Sequence, residues 1–273
     1  SEPATKSLAC SRVSLNRWRN VVFLATTLKP KTVVRVSANP GLSSAATRSL
    51  VGTTAYVMVP EALKTEGQLK PQTAIVNALT PSEAKQGFQL LFNGQDTSEL
   101  KAFQGESTPG WQIIGDALRF QAKDGRSDLA SKLQFANCEI KFEWRVQGTD
   151  SAGICLRTDP MASAPTQSGP CIELNSTNPG GIRDLFAATR GAGRPAGTWN
   201  ESRIEIRGWT IAHWLNGTRV LHLNLASAQG QALLAKSPYR QIPTWAKRKA
   251  GHIVFCPFGD QLWLRSIRVR RLP

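Results

Sequence analysis

Polar and apolar residues alternate at period two in three closely spaced segments of the chain. These are Lys141-Phe-Glu-Trp-Arg145, Ser151-Ala-Gly-Ile-Cys-Leu-Arg157 and Cys171-Ile-Glu-Leu-Asn175. Such a period marks a strand with one face buried and the other turned outward. Shorter runs of the same kind recur between turn residues from Gly87 onward: 88–92, 111–114, 117–121, 203–207, 211–215, 219–223, 252–255 and 261–270. Asn216-Gly217 joins two of them as a two-residue hairpin turn. About eleven strands with little helix predict an all-β, antiparallel two-sheet sandwich of jelly-roll type. Its core should take Phe142, Trp144, Ile154, Leu156, Ile172, Leu174, Ile204, Ile206, Ile253 and Val269.

Residues 1–78 have a different character. They are basic, rich in Ser, Thr and Ala, and punctuated by Pro30, Pro40 and Pro60. They read as a poorly structured N-terminal extension, a leader or a disordered segment, with short isolated strands at 32–37 and 53–59. Val21–Leu28, a short apolar run behind Arg12, Arg17 and Arg19, has the order of a signal segment, so an extracytoplasmic (periplasmic or secreted) location is expected. The domain proper is 79–273. It opens with Thr80 as a helix N-cap, Pro81 at the first helical position and Glu83 at the third.

Charge and cysteine content add less. The net charge of +15 is spread over both parts of the chain, with local clusters at Lys247-Arg248-Lys249 and at Arg265, Arg268, Arg270 and Arg271. That balance favours acidic partners. No nucleic-acid motif accompanies it, so nucleic acid is an unfavoured partner. No apolar run approaches the roughly 20 residues that span a bilayer. The five cysteines form no CxxC pair; Cys155 and Cys171 can face each other across neighbouring strands, and buried free thiols are the commoner outcome.

If the three alternating strands share one sheet, Glu143, Arg145, Arg157, Glu173 and Asn175 form a single polar face. Two carboxylates among arginines and an amide suit a hydroxyl-rich ligand, while solvated outer faces of a sandwich explain the same pattern. The loops 159–169 and 178–197 can supply a rim.

Read in order, these segments resemble the bacterial 3-keto-disaccharide hydrolase domain family, which has a concanavalin A-like lectin/glucanase sandwich. The resemblance covers about residues 79–273. It rests on Leu79-Thr-Pro-Ser-Glu83, Gly87–Gly94, Trp111, Ser127-Asp-Leu129, Phe135–Val146, Ser151–Thr158 and Cys171–Asn175. It continues through Arg194–Asn200, Ile211-Ala-His-Trp-Leu-Asn-Gly217, Gly251-His-Ile253 and Leu262–Leu272. It implies cleavage of glycosides whose C3 hydroxyl has become a ketone. The ketone acidifies the C2 hydrogen, a base removes that proton, and the glycosidic oxygen leaves by elimination. Such a site needs a base, a cation for the enolate and polar groups for the hydroxyls.

Glu173, Glu143 and His213 are the catalytic residue types that the resemblance supplies, and Arg157, Asn175, Arg145 and Trp199 the substrate-binding ones. His213 also shares its strand face with Ile211 and Leu215, which suits a satisfied, semi-buried imidazole. No cofactor is demanded. Three histidines without metal-ligand spacing support no transition-metal site, and a divalent ion such as Ca²⁺ on Asp150, Asp159 or Asp184 is left open. The chain departs from the family at Cys256-Pro257-Phe258, where Gln-Asp-His is usual, and at Arg183, near a position often held by Tyr. Three functions follow from these readings: a 3-keto-glycoside enzyme, a lectin-like module without turnover, or an assembly domain docking an anionic partner.

Overall fold

In a computed structural model of the chain, the backbone falls into two compact units, Ser1–Pro71 and Gln72–Pro273. The structure describes residues 76–177, 179–189 and 191–273, together with the backbone of four short strands in the first unit. Those strands make two hairpins, β1 (Arg12–Leu15) with β2 (Val22–Ala25) and β3 (Val33–Ser37) with β4 (Thr54–Met58). The leader reading of the extension otherwise lies outside the described residues.

The second unit begins with the expected capped helix. In α1 (Pro81–Lys85) the Thr80 hydroxyl accepts from the Glu83 backbone N–H while the Glu83 carboxylate accepts from the Thr80 N–H, a full capping box. Burial alone raises the Glu83 pKa. Bonds from Arg268, the Thr80 backbone and Lys141 outweigh that and hold it at about 2. Asn77, which composition places in the extension, belongs to this unit. Its side chain donates to the Asp116 carbonyl and accepts from the Ser266 N–H. Removing residues 1–71 should therefore leave the cooperative melt intact. A cut past Asn77 should cost about 1–3 kcal/mol from unmet buried groups; a calorimetric comparison of the two truncations checks both.

Thirteen strands follow: β5 (Gln89–Leu90), β6 (Leu100–Ala102), β7 (Trp111–Ile114), β8 (Ala117–Gln121), β9 (Leu129–Ser131), β10 (Cys138–Arg145) and β11 (Ser151–Thr158). The set closes with β12 (Cys171–Asn175), β13 (Asn200–Arg207), β14 (Thr210–Leu215), β15 (Thr218–Asn224), β16 (His252–Pro257) and β17 (Gln261–Arg271). One sheet runs β15-β14-β13-β10-β17-β8-β7, with β5 also on β17, and the other runs β12-β11-β16-β9-β6. Both are antiparallel and pack face to face. All ten expected core residues are buried between them. Phe142 of the large sheet meets Phe255 of the small one edge-on, ring centroids 5.4 Å apart, worth about 0.5–1.5 kcal/mol beyond area burial. Asn216 and Gly217 take the left-handed conformation of the expected hairpin turn. Two short strands, β6 and β9, and a helix, α2 (Ala228–Lys236), add to the expected elements; three-residue strands are too short to show a period.

The expectation of one polar face is overturned. Phe142 and Trp144 on β10, and Ile172 and Leu174 on β12, meet in the same core from opposite sheets. Glu143 and Arg145 therefore lie on the outer face of the large sheet, and Glu173 and Asn175 on the outer face of the small one. Period two says which residues share a face within a strand; it does not say which sheet the strand joins.

Candidate functional site

The acidic groups on the outer face of the large sheet are held by arginines, while the Nε atoms of Arg145 and Arg119 and Nε1 of Trp263 are buried there without a hydrogen-bond partner. Glu139, 2% exposed, accepts from Arg203 at 2.6 Å and from Arg270 at 2.7 Å. Glu143 accepts from Arg265 at 3.0 Å, and Arg265 also donates to Asp116 at 2.8 Å. Arg145 lies against two rings, 5.0 Å from the Trp199 centroid and 4.6 Å from that of Trp263. The Arg265 guanidinium also covers Trp199, at 4.1 Å. Glu143, Arg145 and Trp199 thus stand together in an arginine–carboxylate–tryptophan lattice, on the opposite sheet from Glu173 and Asn175. Three arginines of the C-terminal strand meet acids here: Arg265 meets Glu143 and Asp116, Arg268 shares Glu83 with Lys141, and Arg270 shares Glu139 with Arg203, whereas Arg271 donates to the Gln134 carbonyl.

Arg157 also has a structural role. It sits at a bulge in β11 with left-handed backbone. It is buried, and its guanidinium donates to the carbonyls of Ala136 and Gly208 and to Asn137 Oδ1. Its donors go to these oxygens of neighbouring loops and not to Glu173, which stands beside Arg183. Arg157 clamps the loop before β10 to the β13–β14 turn.

His213 is fully buried and cannot act as a base toward an external substrate. Its Nδ1 lies 3.1 Å from the Gly180 carbonyl and its Nε2 2.9 Å from Ser202 Oγ, which also accepts from Trp144 Nε1 at 2.9 Å. A carbonyl only accepts, so Nδ1 carries the proton. Ser202 then donates to Nε2, and every group in the chain is satisfied. Burial pushes the imidazole down to about 4, against a smaller upward pull from Gly180. The unfolded value is near 6.5, so this contribution is complete above about pH 6.5 and is lost as pH falls toward 4. The loss is about 3 kcal/mol. Melting followed over that range should show the slope, and His213→Gln should flatten it.

Through Gly180, His213 positions the remaining candidate. Gly180 N–H donates to the Glu173 carbonyl, Glu173 N–H to the Gly181 carbonyl, and Arg183 N–H to the Cys171 carbonyl. Residues 180–183 therefore run along β12 as an extra edge. The close approach needs glycine, since a Cβ on Gly181 would stand 2.5 Å from the Phe186 carbonyl oxygen. Arg183 is thereby set beside Glu173, with 4.0 Å between guanidinium and carboxylate. The Glu173 side chain is about one-third exposed. Burial raises its pKa, Arg183 pulls the other way, and Asp184 adds to the rise. Arg183 also covers the Phe258 ring at 4.2 Å. Tyr239, stacked on Trp245 at 4.2 Å, donates its hydroxyl to the Arg183 carbonyl. Asn175 closes β12 and accepts from the Thr177 backbone. A shallow polar recess lined by Ser176, Thr177, Pro179 and Thr189 lies beyond it.

One carboxylate raised by burial, one guanidinium beside it and a polar rim are the parts of a site for a hydroxyl-rich ligand. Of this group, Glu173 and Asn175 were candidates from the strand pattern. Arg183, Phe258 and Tyr239 were not assigned there, because their loops carry no period; the Gly-Gly pair before Arg183 was the available signal. The aspartates considered for calcium do not converge. Asp150 accepts from the backbone of Asp260 and Gln261, Asp159 pairs with Arg248, and Asp184 with Arg183.

Residues 87–270 match the model of the 3-keto-alpha-glucoside-1,2-lyase-like domain. The chain belongs to this family. A glycosyl hydrolase candidate from Parabacteroides distasonis is 22% identical with a TM-score of 0.66, over 72% of this chain and all of that one. A second such protein from the same organism is 19% identical with a TM-score of 0.50, over 68% of this chain and 99% of that one. No curated protein matches. The lyase-like domain thus has a glycosyl-hydrolase-like fold of the carbohydrate-active class, and among its described residues no helix is long and apolar enough to cross a membrane.

Proposed function

We propose that the protein cleaves 3-keto-glycosides by proton abstraction and elimination, with Glu173 as base. The observation that carries this reading is the Glu173–Arg183 pair on the outer face of the small sheet. A carboxylate made more basic by burial removes the C2 proton, and the adjacent guanidinium stabilises the enolate that forms. Asn175 and the rim beyond it supply hydrogen bonds to the sugar hydroxyls. Family membership supports the substrate class. Incubation with a 3-keto-glucoside should release the aglycone with build-up of the keto-glucal, faster as Glu173 loses its proton. The midpoint should lie above the ordinary carboxylate range. Unchanged substrate at all pH values would overturn it.

Phe258 favours a second reading. An apolar ring lies under Arg183 where the family resemblance implies an imidazole, so a module that binds the sugar without turnover fits the same face. Binding without release of aglycone would select it. An extracytoplasmic location belongs to the same proposal, supported by the basic-then-apolar order of residues 12–28 and tested by cell fractionation.

A further inference from the structure

Outside the Glu173–Arg183 pair, three buried cysteines gather on the outer side of the small sheet. Cys171 comes from β12, Cys155 from β11 and Cys256 from β16, three neighbouring strands. Register places Cys155 opposite Cys171, and Cys256 opposite Gly153 on the other side of β11. All three sulfurs lie within 4.8 Å of one another. Cys155 and Cys171 form a disulfide, and Cys256 Sγ is 3.6 Å from Cys155 Sγ. Around a tetrahedral zinc ion with Zn–S bonds of about 2.3 Å, neighbouring sulfurs stand about 3.8 Å apart.

Asp128 directly precedes β9, the neighbour of β16, and lies near Cys256, outside the group of ligand atoms that stand within 4.8 Å of one another. Phe103, Ala130 and Val254 surround the cluster, with Ala162 and Phe258 packed against it, so it has an apolar shell. A disulfide alone accounts for two of these residues. It gives no reason for a third sulfur standing beside it.

We propose that, when the Cys155–Cys171 bond is reduced, Cys155, Cys171 and Cys256 bind one thiophilic divalent cation of the zinc class. A dithiol supplies the two electrons that break the S–S bond and is itself oxidised to a cyclic disulfide. The cation then displaces one proton from each of the three thiols. Bound there, the ion ties three adjacent strands together beneath the Glu173 edge. Disulfide and metal are alternative states of one centre, and neither depends on the sugar reading.

The test uses the full chain, reduced with a dithiol, freed of reductant without oxygen and titrated with Co²⁺. One equivalent should bind with thiolate-to-cobalt charge-transfer absorption in the near ultraviolet, and Zn²⁺ should displace it. Cys256→Ser should weaken binding by more than the roughly 10–100-fold typical of an outer-shell change. Cys10→Ser and Cys138→Ser should leave it unaltered. Cys155→Ser, whose folding is checked by its melt, gives a second reading of the same site and should also weaken binding. Absence of the absorption in protein whose thiols titrate as fully reduced would overturn the proposal. So would undiminished binding in Cys256→Ser and Cys155→Ser together.

Discussion

Glu173→Gln should abolish proton abstraction while leaving the fold intact. The amide has nearly the shape of the carboxylate and still accepts a hydrogen bond, but it cannot take a proton. Loss of a general base costs on the order of 10²–10⁴ in rate, so release of aglycone from a 3-keto-glucoside should fall by that factor. Ground-state affinity should change less. One charge-assisted hydrogen bond is worth about 1.5–3 kcal/mol, roughly 10- to 150-fold in Kd. The two readouts separate the two readings of the site, because a binding module loses affinity and has no turnover to lose. The strand itself has little reason to suffer. Glu173 meets Arg183 only at 4.0 Å, and its backbone bonds to Gly180 and Gly181 do not involve the carboxylate. If Glu173→Gln melted several degrees lower with unaltered sugar affinity, the carboxylate would be a structural partner of Arg183 and the site assignment would fail.

Glu139→Ala should be among the most destabilising single changes in the domain. The carboxylate is buried on the outer face of the large sheet, and it receives Arg203 from β13 on one side and Arg270 from β17 on the other. Burial raises its pKa, but the hydrogen bonds and charges of the two arginines outweigh that and hold it below the ordinary value. Removing it leaves two guanidinium groups facing each other across the central strand. Breaking a buried pair by deleting one partner costs about 3–5 kcal/mol. Denaturant melts should show that loss, and adding Arg203→Met should recover part of it, since one uncompensated charge is then removed. A loss under about 1 kcal/mol would mean that water solvates the two arginines freely and the lattice is ornamental. The depressed pKa also sets a direction with pH: the contribution is present above the ordinary Glu range and disappears as pH falls through the folded value.

The contrast between Glu143 and Glu173 shows where sequence reasoning stops. Glu143 and Glu173 look alike along the chain, each flanked by two apolar residues on a strand. Only sheet assignment separates them. One is sealed under Arg265, and the other stands at an edge beside Arg183. His213 makes the same point. Its strand neighbours Ile211 and Leu215 announced burial, but the serine and the glycine carbonyl that satisfy it come from residues 202 and 180. No local pattern predicts contacts across such separations.

By itself, the sequence determined the strands, their inward faces, the capped helix and the Asn216-Gly217 turn. Each of these depends on residues a few positions apart, through the period of a strand, the reach of a cap or the backbone freedom of a turn. The tertiary structure alone decided which strands neighbour each other. That choice divided one expected polar face between two sheets, set Arg265, Arg268 and Arg270 against internal acids, and brought Arg183 to Glu173. It also gathered Cys155, Cys171 and Cys256, the first and last of which are 101 residues apart in the chain. Strand order is set by how the whole set of apolar faces buries itself at once, and no local segment carries that information.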